Sequence, residues 1–169
     1  MPMSDTLLPE FDHEMANTRR VLERVPDDRL DWRPHPKSWP MGALATHVAT
    51  LPSWAVETLN RTELDVMPGG QEPPKTPEAK SREELLRRFD ENVAKARAAV
   101  AGATDAAFFQ SWSLLANGKK LMTMPRAAVL RSFVLSHLIH HRAQLGVYLR
   151  LNDIPVPALY GPSADEGGF

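Results

Sequence analysis

The chain has 169 residues, 43% apolar and 24% charged, with a formal net charge of −1; these are the proportions of an ordinary globular protein, long enough to bury a core as one domain spanning 1–169. It has no cysteine, which excludes disulfides and thiolate metal ligands, and no apolar run approaches the length of a membrane span. The balanced charge argues against nucleic-acid binding, and the acidic start MPMSDTLLPEFDHE lacks the apolar region of a secretory signal, so a cytoplasmic location is expected.

The first helix is predicted over about 5–25, where Leu8, Phe11, Met15, Thr18, Leu22 and Val25 recur at spacings of three and four before Pro26. The next segment, DDRLDWRPHPKSWPM, with three prolines and two tryptophans, reads as an ordered loop. A second helix is expected from Met41 to about Leu59, kinked at Pro52, which cannot donate to the carbonyl of Val48. Residues 60–80 hold four prolines and two glycines; we expect a long crossover without structure of its own. Ser81 and Glu84 form a capping-box signature for a third helix over about 82–101, with Leu85, Phe89, Val93, Ala96 and Val100 inward and mixed charges outward. Asn117-Gly118, between apolar–polar alternations, signals a short β-hairpin. Pro125 suits the first turn of a fourth helix over about 125–151, and the Pro/Gly-rich tail is expected to be irregular. The fold class is therefore all-α: a four-helix bundle with a crossover between helices two and three and a hairpin before helix four.

The fourth helix carries His137, His140 and His141 within five positions. With His137 at zero and about 100° per residue, His141 falls at about 40°, Gln144 at about −20°, Tyr148 and Leu130 at about 20° and Val134 at about 60°. This predicts His137 and His141 in the middle of the inward stripe, one turn apart, with His140 at its edge and badly aimed. The opposite face, Leu135, Ile139, Ala143 and Gly146, is apolar enough to need a cover, either a second subunit or the hairpin or tail. On the second helix His47 shares a face with Leu51, Trp54 and Thr58, so it too is expected inward. One inward histidine is usually a hydrogen-bonded core residue. Three that converge each need a polar partner, and one shared divalent metal satisfies all of them.

The other histidines stay apart from this group. His13 is expected to face outward, and its Glu10-x-x-His13 spacing lacks the second motif that a di-iron site requires. His35, between Pro34 and Pro36, is expected in an exposed loop. Leu138 follows His137 where a zincin protease would carry its glutamate base, which excludes that chemistry.

The stretches LATHVATLPSW and HLIHHRAQLGVYLRLNDIPVPALYGPSADE, with the LDWRPHPKSW loop between the first two helices, resemble the DinB/YfiT-like superfamily over nearly the whole chain. That resemblance implies an up-down-down-up four-helix bundle, usually dimeric, whose metal is held by one histidine on helix two and a His-x₃-His pair on helix four. The matching positions are His47, His137 and His141. Three neutral imidazoles suit zinc or nickel, with iron also compatible, and leave coordination positions open.

Relatives of this kind include transferases that use low-molecular-weight thiols such as bacillithiol or mycothiol, so thiol-dependent transfer onto a small electrophile is the first expectation. The alternatives are metal-hydroxide hydrolysis, for which no inward acidic base is visible, and a non-catalytic, metal-binding dimeric bundle acting in stress response. Gln144 and Tyr148 are candidates for the pocket lining, and Trp54 for its wall. The expected partners are a small-molecule substrate and a second copy of the chain.

Overall fold

A computed structural model describes residues 1–72 and 76–167. The chain is mostly helical: α1 (Met3–Leu22), α2 (Met41–Thr50), α3 (Ser53–Asn60), α4 (Arg82–Gly102), α5 (Asp105–Phe109), α6 (Arg126–Val129) and α7 (Ser136–Leu151). Pro52 does more than kink the second predicted helix, since α2 and α3 are separate elements joined by a turn at 51–52. α1 and α7 pack together, α4 packs against α1, α2 and α3, and α2 also packs against α7. The core between them holds Phe11, Leu22, Met41, Leu44, Leu85, Phe89, Leu138, Leu145 and Leu149. No helix among the described residues is long and apolar enough to cross a membrane.

The expected all-α class needs a correction. Residues 63–65 of the crossover form a strand, β1 (Glu63–Asp65), which pairs in parallel with β2 (Ser111–Ala116); β2 pairs antiparallel with β3 (Lys119–Pro125). The hairpin turn lies at the predicted Asn117-Gly118, both with positive φ (52° and 74°) as a tight hairpin requires. Asp65 draws the crossover to it, because its carboxylate accepts from the backbone N–H groups of Met67, Asn117 and Gly118 at 2.9, 3.0 and 2.7 Å. These bonds hold its pKa below the usual carboxylate range. Trp112, Leu114 and Val129 form a small second core under the sheet. Pro73, Pro74 and Lys75 of the same crossover lie outside the described residues.

The last helical column is not one straight α-helix. Between α6 and α7 the backbone runs as π-helix over Leu130–Leu135, and the Ser136 N–H reaches back to the carbonyl of Arg131. Each such turn takes in one more residue than an α-turn, which rotates the residues beyond it about the helix axis. Leu130 and Val134 are buried as predicted, but burial then passes to Leu138, Arg142, Leu145 and Leu149. His137 and His141 therefore stand half-buried on the flank of α7, not in the middle of its inward stripe. His47 is likewise half-buried, on the flank of α2.

The face opposite the histidines is covered in large part by the tail, one of the covers expected for it. Leu135 is buried in the core, whereas Ala143 is exposed and Gly146 lies beneath Val156 of the tail. The tail is an ordered strap over much of this face: Glu166 pairs with Arg20 and Arg24, and Asp165 with Arg150.

Arg142 is 2% exposed on its side chain and pairs with the buried Glu14 of α1 at 2.8 Å. It also donates to the Glu14 carbonyl and to the Thr18 hydroxyl. Tyr160 of the tail closes the group, its hydroxyl accepting from Arg142 at 2.6 Å and donating to Glu14 at 2.7 Å. Removing one partner strands the other charge in the core, so Arg142→Ala is expected to cost about 3–5 kcal/mol in urea denaturation. Arg142→Met with Glu14→Leu should recover most of that loss, and a double variant as unstable as the single one would contradict this account.

Candidate metal centre

The approach to α2 is set by loop carbonyls in place of a capping side chain. The N–H groups of Met41 and Gly42 donate to the carbonyls of Trp32 and Leu30, each at 2.8 Å. A Cβ on Gly42 would stand 3.1 Å from the Leu30 Cβ, so the close approach of loop and helix favours glycine there. This docking brings Trp39 over the first turns of α2. Its indole stacks on His141 (centroids 5.8 Å apart, planes 15° apart) and meets His47 edge-on at 5.2 Å.

His47, His137 and His141 come together: one nitrogen of each lies within 4.8 Å of the others, and no carboxylate belongs to the group. The Nε2 atoms of His47 and His137 are 3.4 Å apart. Two nitrogens bound tetrahedrally to zinc at about 2.0–2.1 Å would stand about 3.3–3.4 Å apart, so this pair is already at a shared-ligand spacing. The Nδ1 of His141 lies 2.7 Å from the Gln144 Oε1, which leaves Nε2 as its free nitrogen. The Nδ1 of His137 is buried without a full hydrogen bond, although the Phe133 backbone one turn earlier acts on it. With a proton held at the His141 Nδ1 by Gln144, the Nε2 lone pair of His141 is left for the centre, and the His137 Nε2 already faces that of His47. A single N–H···N bond between His47 and His137 would satisfy two rings and leave the third unused. The donor set therefore fits a divalent cation.

Electrostatics keep all three rings neutral at pH 7. Burial, reinforced by His141 and His137, pushes His47 down to about 4. His137 is lowered by burial and by His141, and His141 by burial with His140 adding to it. His140 is exposed and lies against the His141 ring at 4.9 Å, outside the triad. His13 is exposed beside Asn17, and His35 is exposed in its loop. Trp54 packs on Phe133, which in turn packs on His137.

Beside the triad opens a cleft of about 200 Å³ lined by Ser38, Trp39, Leu44, His141, Gln144 and Tyr148. Among the described residues, no Asp, Glu, Lys or Arg lines it. The Tyr148 hydroxyl is already engaged, donating to the Trp39 carbonyl at 3.2 Å. Sequence reasoning pointed to Gln144 and Tyr148 but missed Trp39, because a loop residue carries no periodicity that aims it.

The family model described as the DinB superfamily matches residues 10–145. The uncharacterized protein YrdA of Bacillus subtilis (strain 168) is 24% identical over 166 residues, which cover 96% of this chain and 90% of that protein. A crystal structure of a DinB-like protein from Bacillus cereus ATCC 10987 superposes with a TM-score of 0.73 at 19% identity, covering 94% of this chain and 98% of that one. Another, of the DinB-like protein YjoA from B. subtilis, gives 0.67 at 18% identity, covering 90% and 96%. At such identities the structural likeness concerns the fold.

The lowered imidazole pKa values carry a pH signature. Between about 6.5 and about 4 the unfolded chain binds protons at His47 that the folded chain refuses. This contribution is fully present above that window and is lost as pH falls through it. The denaturant midpoint of metal-stripped protein should therefore fall from neutral to mildly acidic pH, and His47→Gln should flatten the fall. An equally steep fall in the variant would remove His47 as its cause.

Proposed function

The chain belongs to the DinB superfamily, and on that premise we propose that it is a metal-dependent enzyme, a thiol-dependent small-molecule transferase whose cation is held by His47, His137 and His141. The observation that carries this reading is the convergence of three neutral imidazoles, without a carboxylate, beside a cleft whose described lining holds no Asp, Glu, Lys or Arg. A divalent cation on such ligands keeps its full charge and acts as a Lewis acid that favours the ionised form of a thiol or water bound to it. Imidazole donors place zinc or nickel first, with iron also compatible.

The chain's own residues would do the rest. His141 belongs to both the triad and the cleft, so a small molecule seated against Trp39 lies next to the cation's position. Trp39 shields two of the three rings from solvent on that side. Ser38 offers a hydroxyl in the cleft wall. The ligand group brings no carboxylate to serve as a base, which favours a nucleophile that ionises readily, such as a cosubstrate thiol, over hydrolysis of an unactivated bond.

Two further readings belong to this proposal. The helical columns α1, α2–α3, α4 and α6–α7 are read as an up-down-down-up bundle in a cytoplasmic protein. A second copy is read as covering the apolar groove of about 300 Å³ beside Ala143, Gly146 and the exposed Val147 that the tail leaves open.

Protein purified without a histidine tag or added metal should carry close to one zinc or nickel per chain, and His137→Ala should lose it. Thiol-dependent turnover of small electrophiles should then vanish in His47→Ala. A chain that stays metal-free after loading would overturn the proposal, and turnover that needs no thiol would leave only the hydrolase alternative.

A further inference from the structure

α7 supplies two of the three rings, and they differ in how the remote nitrogen is held. For His137 the Nδ1 is buried without a hydrogen-bond partner. For His141 the partner is Gln144 three residues later, with Nδ1 and Oε1 2.7 Å apart. Side chains three apart on an α-helix share a face, so α7 geometry delivers this contact without help from tertiary packing. Gln144 is exposed and outside the core, so no burial requirement explains an amide there. It also lines the cleft that His141 lines.

The direction of the amide decides what His141 can do. If the carbonyl oxygen faces the ring, Nδ1 carries the proton and the Nε2 lone pair is free. If the amide nitrogen faced the ring, Nδ1 would have to accept, Nε2 would carry the proton, and the ring could not ligate through the nitrogen that faces the other two histidines. A glutamine can present either end, but only one arrangement is compatible with a His₃ centre.

Resting on the metal-centre reading above, we propose that Gln144 is a positioning residue of that centre, which holds His141 as the Nδ1–H tautomer with its Nε2 lone pair directed at the cation. Carboxylates and backbone carbonyls commonly do this for metal-bound histidines, and losing such a partner typically costs about 10–100-fold in metal affinity. Here a neutral amide takes that place, which leaves the charge on the cation undiminished.

Two variants and two readouts test this. Zinc affinity is measured by competition with a chromophoric chelator, and the His141 tautomer by long-range ¹⁵N–¹H NMR on metal-free protein. Gln144→Met keeps the length but removes the acceptor. It should weaken zinc binding about 10–100-fold and release His141 from the Nδ1–H form, with the metal-free melting temperature unchanged. Gln144→Glu keeps an acceptor and should bind zinc at least as tightly as the native chain. Native affinity in Gln144→Met, or a loss in Gln144→Glu equal to that in Gln144→Met, would overturn the proposal. If the native chain took up neither zinc, nickel nor iron, the metal reading itself would fall and the tautomer measurement alone would decide: a change in Gln144→Met supports the orienting role, and an unchanged tautomer refutes it.

Discussion

The rotation of the last helix about its own axis depends on a buried ion pair. Arg142 follows His141 in sequence, about 100° further round α7, and is held in the core by Glu14, Thr18 and Tyr160. A guanidinium in the core has few places to go, since any other rotation of α7 would strand Arg142 or Glu14 without a partner, at a cost of several kcal/mol. With Arg142 turned toward α1, His137 and His141 are turned toward α2, where His47 meets them. The π-helical turn just before them makes this compatible with Leu130 and Val134 staying in the core. The ion pair and the π-turn together place the histidines on a flank that solvent and a small molecule can reach.

The three rings raise a second constraint. Each is partly desolvated, and His137 and His141 together lower the proton affinity of His47. Such a cluster gains nothing as core packing, because aliphatic side chains of similar volume would fill the space without the desolvation penalty. Its value is chemical: neutral imidazoles with converging lone pairs form a site for a cation, and lowered pKa values keep that site available below neutral pH. The wall of the cleft extends this pattern, joining to the shared neutral imidazole an indole, a leucine, a hydroxyl, an amide and a phenol.

The C-terminal tail belongs to the same mechanical unit. Its surface ion pairs through Asp165 and Glu166 are individually worth little in water. Tyr160 is different, because its hydroxyl completes the hydrogen bonding of the buried charges, and burial with the nearby Glu14 holds its pKa above the ordinary phenol value. An irregular, Pro/Gly-rich segment thus helps to fix the helix that carries two of the three histidines.

Much of this was visible in the amino-acid sequence. Apolar spacing located the helices, Ser81 and Glu84 the start of α4, and Asn117-Gly118 the hairpin, because each is a local signal read over a few residues. The helical angles also selected His47, His137 and His141 from six histidines, the three that the structure gathers. The features left undetermined by sequence depend on contacts between distant segments. β1 exists because Asp65 reaches backbone N–H groups more than fifty residues away, and no local pattern in 60–80 announces it. The π-turn broke the uniform 100° advance, so the same angles that chose the converging histidines put them in the core and not on its flank. Arg142 looked like one more charge on a helix until Glu14 and Tyr160 supplied its partners from either end of the chain. Trp39 had no periodicity to aim it and was placed by loop carbonyls docking on α2. Local sequence determined the long helices, the hairpin and which side chains can ligate, because helix periodicity, turn chemistry and residue chemistry are short-range properties; only tertiary structure decided where β1 pairs, how far each helix turns and what stands beside the site, because those depend on pairing buried charge and backbone groups across the whole fold.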